Sequence, residues 1–150
     1  MSALADVAGT TWVVLAAVML VLWVWTSFAL VALFRKIGIN PRVAWVPVWN
    51  LWKLFASTAL SGAWSLVGVC GAAVAIGLGF LPTVGSYLRA IIGFFTLVVF
   101  LIAVAVMLSR VNGDFGYSSG MTALGVFLFP IWASVLGWGP RTWNGEPYID

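Results

Sequence analysis

An uninterrupted apolar run from Thr10 to Phe34, ended by Arg35 and Lys36, constrains the fold of this chain more than any other feature. At 1.5 Å per residue, a helix of this length exceeds the roughly 30 Å hydrocarbon core of a bilayer. The run therefore predicts a tilted first transmembrane helix. A cleaved signal peptide is the alternative. It requires a basic N-terminal region, an apolar stretch of about 7–15 residues and a small-residue cleavage site, all of which are missing here.

The rest of the chain is equally apolar, because 63% of its residues are hydrophobic and only 7% are charged. Soluble domains have about half apolar and a quarter charged residues. The sequence predicts an all-α integral membrane protein with a single membrane domain over residues 1–150. Four transmembrane helices are expected at about residues 10–34, 63–81, 90–108 and 121–138. Pro130 lies near the middle of the last one, where a kink is expected.

The segment between the first two spans combines cations, two prolines and three tryptophans, at about residues 40–55. Trp45, Trp49 and Trp52 recur at i, i+4 and i+7, which is one face of a helix. Indole rings favour the headgroup level of a bilayer, so the segment predicts an interfacial or re-entrant helix. A fifth full span is the alternative, but it would place Asn50 and Lys53 in hydrocarbon at a cost of about 3 kcal/mol for the charge.

This interfacial segment is the expected functional element, and two interpretations of it stay open. Its aromatic and basic side chains could anchor the chain to lipid, or they could hold the exposed helix of a partner protein. The candidate residues for partner or lipid contact are Trp45, Trp49, Asn50, Trp52 and Lys53.

The second span is rich in small residues, which let a neighbouring helix approach at backbone distance. The spacing fits a centrally packed helix of a bundle or a dimerisation face. The expected helix-packing residues are Gly68, Gly71, Ala72 and Gly77, and the small-residue pairs that carry the spacing are Gly68 with Ala72, Ala73 with Gly77, and Ala75 with Gly79. Cys70 is expected to be a small buried apolar residue.

Lysines and arginines in the loops predict the orientation, since they accumulate on the cytoplasmic side. The first and third predicted loops hold five cations, and the N-terminal tail, second loop and C-terminal tail hold two. Both termini are therefore expected outside, with the first loop in the cytoplasm. Contact with lipid headgroups is expected at Arg35, Lys36 and Arg42. The net charge of +3 includes no basic tract long enough for nucleic acid.

The absence of certain residue types argues against two classes of function, ion-coupled transport and catalysis. The chain has no histidine and one cysteine, and its four predicted spans contain no ionisable side chain other than Cys70. Ion-coupled transporters place charges at the membrane midplane, and most catalytic templates need a base or a carboxylate pair. We therefore expect no catalytic residues, no metal and no cofactor.

Several short motifs resemble a family of small bacterial polytopic membrane proteins of unknown function. These motifs are Phe34-Arg-Lys-Ile-Gly, Ala44-Trp-Val-Pro-Val-Trp-Asn-Leu-Trp-Lys-Leu, Leu108-Ser-Arg-Val-Asn-Gly-Asp-Phe-Gly, Phe127-Leu-Phe-Pro-Ile and Leu136-Gly-Trp-Gly. Some relatives are attached to type I signal peptidase domains, whose catalytic domain and Ser/Lys pair this chain lacks. The resemblance thus implies at most an accessory role. The glycine, tryptophan and alanine usage also resembles that of actinobacteria.

The sequence thus predicts a non-catalytic, tryptophan-rich protein of the bacterial inner membrane. The expected function is an accessory or scaffold subunit that packs against other membrane proteins and membrane lipids. The alternative is a small oligomeric channel or carrier for lipid or an apolar solute.

Overall fold

A computed structural model describes residues 2–78, 80, 83–146 and 148, and every regular element in these residues is helical. The predicted all-α class is confirmed. The elements, in chain order, are α1 (Ser2–Ile37), a 3-10 helix (Pro41–Trp45), α2 (Pro47–Ser57), α3 (Trp64–Leu78), α4 (Thr83–Asp114), α5 (Gly120–Phe127) and α6 (Phe129–Trp138). The predicted end of the second span at Leu81, together with Gly79 and Pro82, lies outside the described residues.

Two helices are long and apolar enough to cross a bilayer, namely the Thr10–Ile37 part of α1 and the Ser86–Asp114 part of α4. Their most apolar windows are only 17% and 22% buried, whereas the core helix of a soluble protein is mostly buried. In the C-terminal part of α1, Leu30, Leu33 and Phe34 have no exposed surface and form part of the core.

The core occupies one half of the molecule. In α1 the buried side chains begin at Ser27, and in α4 they begin at Ala103. The opposite half of α1 differs, since every side chain from Thr10 to Trp23 is exposed. We call the end of the molecule that holds the C-terminal ends of α1 and α4 the basal end. Helix α4 also continues four residues beyond Arg110, where a loop was expected.

Helices α3 and α4 form an antiparallel pair, as the short connection between them predicts. Gly68 lies against the Phe100 ring, and the Thr96 side chain occupies the space beside Gly71. Because residue 68 is next to residue 100 and residue 71 is next to residue 96, the two helices run in opposite directions. Helix α3 covers about 22 Å at 1.5 Å per residue, so its described part is shorter than a hydrocarbon core.

The predicted interfacial segment folds into a first helical hairpin. Helix α1 ends at Ile37. The next residue, Gly38, has a positive φ of 91° that suits glycine, and its N–H donates to Phe34 O. The chain then turns back along α1, because the Trp45 ring lies 5.7 Å from Trp23 and 5.2 Å from Phe28. Pro47 starts α2, which returns toward the basal end, where Arg110 Nη1 donates to Thr58 O.

The predicted fourth span is instead a second helical hairpin. Leu128, at φ −133° and ψ 56°, separates α5 from α6, two residues before Pro130. Helix α5 packs beside α4 and leads away from the basal end, and α6 packs beside α1 and leads back to it. Tyr117 before α5 and Gly139 after α6 are neighbours, since the Tyr117 hydroxyl is 3.3 Å from where a Cβ on Gly139 would stand. A continuous helix would hold these two residues about 30 Å apart.

The described part of the C-terminal tail lies at the basal end. The Tyr148 N–H donates to Ile37 O at 3.3 Å, and the Asn144 N–H donates to Asp114 O at 3.0 Å. The tail is therefore on the same side as the first loop. The loop-charge count placed these two segments on opposite faces, and that prediction fails because it treated residues 121–138 as a single crossing.

Candidate interaction site

The three tryptophans of the first hairpin do not share one face. Pro47 interrupts the helix between Trp45 and Trp49, so Trp45 packs on α1 while the other two belong to α2. Trp49 and Trp52 are stacked, with ring centroids 6.1 Å apart. Trp52 also fills the space beside Gly62, whereas Trp49 is 51% exposed. Of the three rings, Trp49 is the one presented to the surroundings.

Asn50 is not a surface residue, although the sequence analysis places it there. Its side chain is 9% exposed, and Nδ2 donates to Ala44 O at 3.2 Å. This hydrogen bond joins the two arms of the first hairpin across Pro47. The residue therefore stabilises the turn, since a buried carbonyl would otherwise lack a partner.

Lys53 points to the C-terminal tail. Its Nζ donates to the Tyr148 hydroxyl at 3.2 Å and lies 4.9 Å from the centre of that ring. The contact fastens α2 to a residue that also bonds to the end of α1. Lys53 is thus half-buried at the basal end and takes part in joining three segments.

The small residues of α3 divide into two groups. Gly68 and Gly71 face α4, as predicted for packing positions. Gly77 has no atom within 4 Å of a Cβ built on it, and Ala72 is exposed, so these two positions are not at the α3–α4 contact. Cys70 is likewise exposed rather than buried. The same helix contributes to an apolar groove of about 540 Å³ between α2, α3 and α4.

The apolar groove has a small-residue wall from α3 and a wall from α4 that includes Phe100. Pro47, Val48 and Leu51 form its floor at the turn of the first hairpin, while Gly68, Ala72, Leu97 and Phe100 form its sides. Its volume lies within the 300–1,000 Å³ range typical of ligand sites. The groove can hold an acyl chain or the small face of another helix.

The predicted headgroup residues behave differently from one another. Arg35 and Arg42 are exposed. Lys36 instead turns inward, and its Nζ donates to Leu136 O at 2.7 Å and to Gly139 O at 2.6 Å. A cation at the carboxyl end of a helix satisfies carbonyls that have no partner within the helix. Lys36 therefore joins α1 to the base of the second hairpin.

A buried polar network that was not predicted from the sequence fixes the second hairpin on α4. Asn112 accepts from Trp132 Nε1 at 2.8 Å and donates to Thr122 Oγ1 at 3.1 Å. One amide thus holds both arms of the hairpin. In the sequence, the network could have been suspected from the amide of Asn112, close to the end of the predicted third span. The Asn-Gly-Asp sequence there is more simply interpreted as a turn.

A polar cavity of about 780 Å³ opens at the basal end, and it was also not predicted. The ends of α2 and α4 form its walls, and the tail residues Gly145, Glu146 and Tyr148 also line it. Its lining includes the charged side chains of Arg110, Asp114 and Glu146. The cavity depends on the return of the tail to this end of the molecule.

Comparison with known proteins identified no relative of this chain. No protein-family model, no curated protein and no solved structure matches the chain.

Proposed function

We propose that this chain is an integral protein of a bacterial cytoplasmic membrane that serves as a non-catalytic accessory or scaffold subunit. In this proposal α1, α3 and α4 cross the bilayer, and the two hairpins enter it from the cytoplasmic side and return. The N-terminus lies outside, while the first loop and the C-terminal tail lie in the cytoplasm.

The distribution of cations supports this orientation. The basal end collects Arg35, Lys36, Arg42, Lys53, Arg110 and Arg141, six of the seven lysines and arginines, and the opposite end has Arg89. This six-to-one ratio is steeper than the five-to-two ratio expected with four crossings. Cytoplasmic loops carry such an excess of positive charge.

The scaffold role rests on the exposure of α1 and α4 away from the core. From Thr10 to Trp23, α1 exposes every side chain, and α4 has no buried residue among its described positions before Ala103. The apolar groove lies beside the exposed part of α4, with the first hairpin as its floor. Helices in lipid associate through close packing of small residues, and the groove offers such a wall to a partner helix.

Site-specific photocrosslinking in the native membrane tests the scaffold role. A photoreactive amino acid at Leu97, which lines the groove, should form an adduct with another membrane protein. The same amino acid at Leu101, which is also exposed on α4 but lies outside the groove, is the matched control. Equal adducts at the two positions, or none at Leu97, would contradict the assignment of the groove as a partner site.

The volume and the apolar lining of the groove favour one second candidate, a carrier for lipid or an apolar solute. In this case the crosslinker at Leu97 would capture lipid rather than protein. The mass of the adduct distinguishes the two functions in the same experiment.

A further inference from the structure

We propose that the polar cavity at the basal end binds a phosphoethanolamine group, the headgroup of a zwitterionic phospholipid. The inference rests on the membrane placement proposed above, since it puts the cavity at the level of the cytoplasmic headgroups. It goes beyond that proposal by assigning a ligand chemistry to a second site, away from the apolar groove.

The charged side chains that line the cavity do not pair with one another. Arg110 and Asp114 are four residues apart on α4, which places them on neighbouring turns of one face. Among the residues that the structure describes, no ion pair joins Arg110 to Asp114 or Glu146. Arg110 uses one Nη1 donor on Thr58 O at 2.8 Å, which leaves further N–H groups of its guanidinium for a phosphate.

Charged side chains of both signs line the cavity, which favours a zwitterion over an anion. Among the described residues that line it are one guanidinium and two carboxylates. A guanidinium binds a phosphate through charge-assisted hydrogen bonds, and carboxylates accept from a primary ammonium in the same way. Phosphoethanolamine carries both groups on one short linker.

This charge pattern also predicts discrimination among phospholipids. Phosphatidylcholine has the same phosphate, but its trimethylammonium has no N–H to donate to Asp114 or Glu146. Phosphatidylglycerol has a net negative charge and no ammonium. We therefore expect phosphatidylethanolamine to bind several-fold more tightly than either of them.

Native mass spectrometry of the full-length protein in detergent tests the proposal, with an equimolar mixture of these three lipids as the probe. The wild type should retain phosphatidylethanolamine several-fold over the other two. The double variant Asp114→Asn, Glu146→Gln should lose the preference over phosphatidylcholine. Arg110→Gln should reduce retention of all three lipids, while Arg89→Gln, at the opposite end, should leave the wild-type pattern.

Because Arg110 also bonds to the end of α2, the Asp114→Asn, Glu146→Gln variant provides a test that does not depend on that contact. Equal retention of the three lipids by the wild type, or an unchanged preference in the double variant, would overturn the proposal. Addition of water-soluble phosphoethanolamine identifies the source of the group. Displacement of bound lipid by it indicates a site open to solution, and persistence of the lipid indicates a membrane site; both support the same headgroup chemistry.

Alkaline carbonate extraction separates this proposal from the one on which it rests. A chain that carbonate releases from membranes would contradict the integral membrane placement. A chain that stays in the membrane but shows no lipid preference would contradict only the phosphoethanolamine site.

Discussion

Lys36 illustrates how one side chain can determine where a distant segment lies. Its ammonium group donates to carbonyls at Leu136, Gly139 and Arg141, about one hundred residues further along the chain, and it lies 5.9 Å from the centre of the Phe115 ring. The adjacent Arg35 is exposed and has no such role. Two neighbouring cations that look equivalent in the sequence therefore differ in function.

Replacing Lys36 with methionine should destabilise the protein, because the carbonyls at the end of α6 lose a charged donor. Hydrogen bonds to charged groups contribute about 1.5–3 kcal/mol, so we expect a loss of about 2 kcal/mol in the free energy of unfolding. Thermal unfolding in detergent measures the change. Arg35→Met is the matched control, and an equal effect of the two substitutions would refute this role of Lys36.

Asn112 and Trp132 should be energetically coupled, since Asn112→Ala would leave the buried Trp132 N–H without an acceptor. We expect a loss of about 2 kcal/mol for Asn112→Ala, and a smaller additional loss when Trp132 is already phenylalanine. A double-mutant cycle of unfolding free energies measures the coupling. Strictly additive effects would show that the hydrogen bond does not hold the hairpin on α4.

At the scale of the helices, the second hairpin depends on the close approach of α6 to α1. A Cβ on Gly137 would stand 2.5 Å from Ala29 O, a backbone atom that cannot move aside as a side chain can. Gly137→Ala should therefore push α6 away and lower the melting temperature by several degrees. Overpacking of this kind costs about 1–3 kcal/mol.

Gly77→Ala provides the control for this substitution, because a Cβ on Gly77 meets no atom within 4 Å. Alanine is favoured over glycine in helices by about 1 kcal/mol, so Gly77→Ala should leave the melting temperature unchanged or raise it. A melting temperature of Gly137→Ala equal to that of the wild type would contradict the packing of α6 on α1.

Some features of the helices could be predicted from the sequence, and others could not. The two long helices and an interruption near Pro130 follow from apolar length and from the missing proline N–H. The reversal at Leu128 does not, because a kinked crossing and a hairpin contain the same apolar residues and differ only in contacts with α1 and α4. Pro47, by contrast, was visible, and its effect on the Trp45–Trp49–Trp52 spacing could have been foreseen.

At the scale of the whole molecule, the return of the tail changes the charge map and creates the polar cavity. Arg141, assigned by the sequence analysis to the face opposite the first loop, lies 4.0 Å from the Tyr117 ring at the basal end. Neither Glu146 nor Tyr148 could be recognised as a site residue without that placement. The candidate site was therefore less predictable than the helices, because it is built from segments distant in sequence.

Cysteine labelling tests whether the first loop and the C-terminal tail lie on the same side of the membrane, as proposed. In a Cys70→Ala background, single variants Arg35→Cys, Thr142→Cys and Tyr87→Cys place exposed thiols on the last turn of α1 before the first loop, on the tail and at the opposite end. In spheroplasts, a membrane-impermeant maleimide should label Tyr87→Cys alone, and the other two should react together only after the membrane is opened. Labelling of Thr142→Cys together with Tyr87→Cys, while Arg35→Cys stays protected, would contradict the hairpin and restore a fourth crossing.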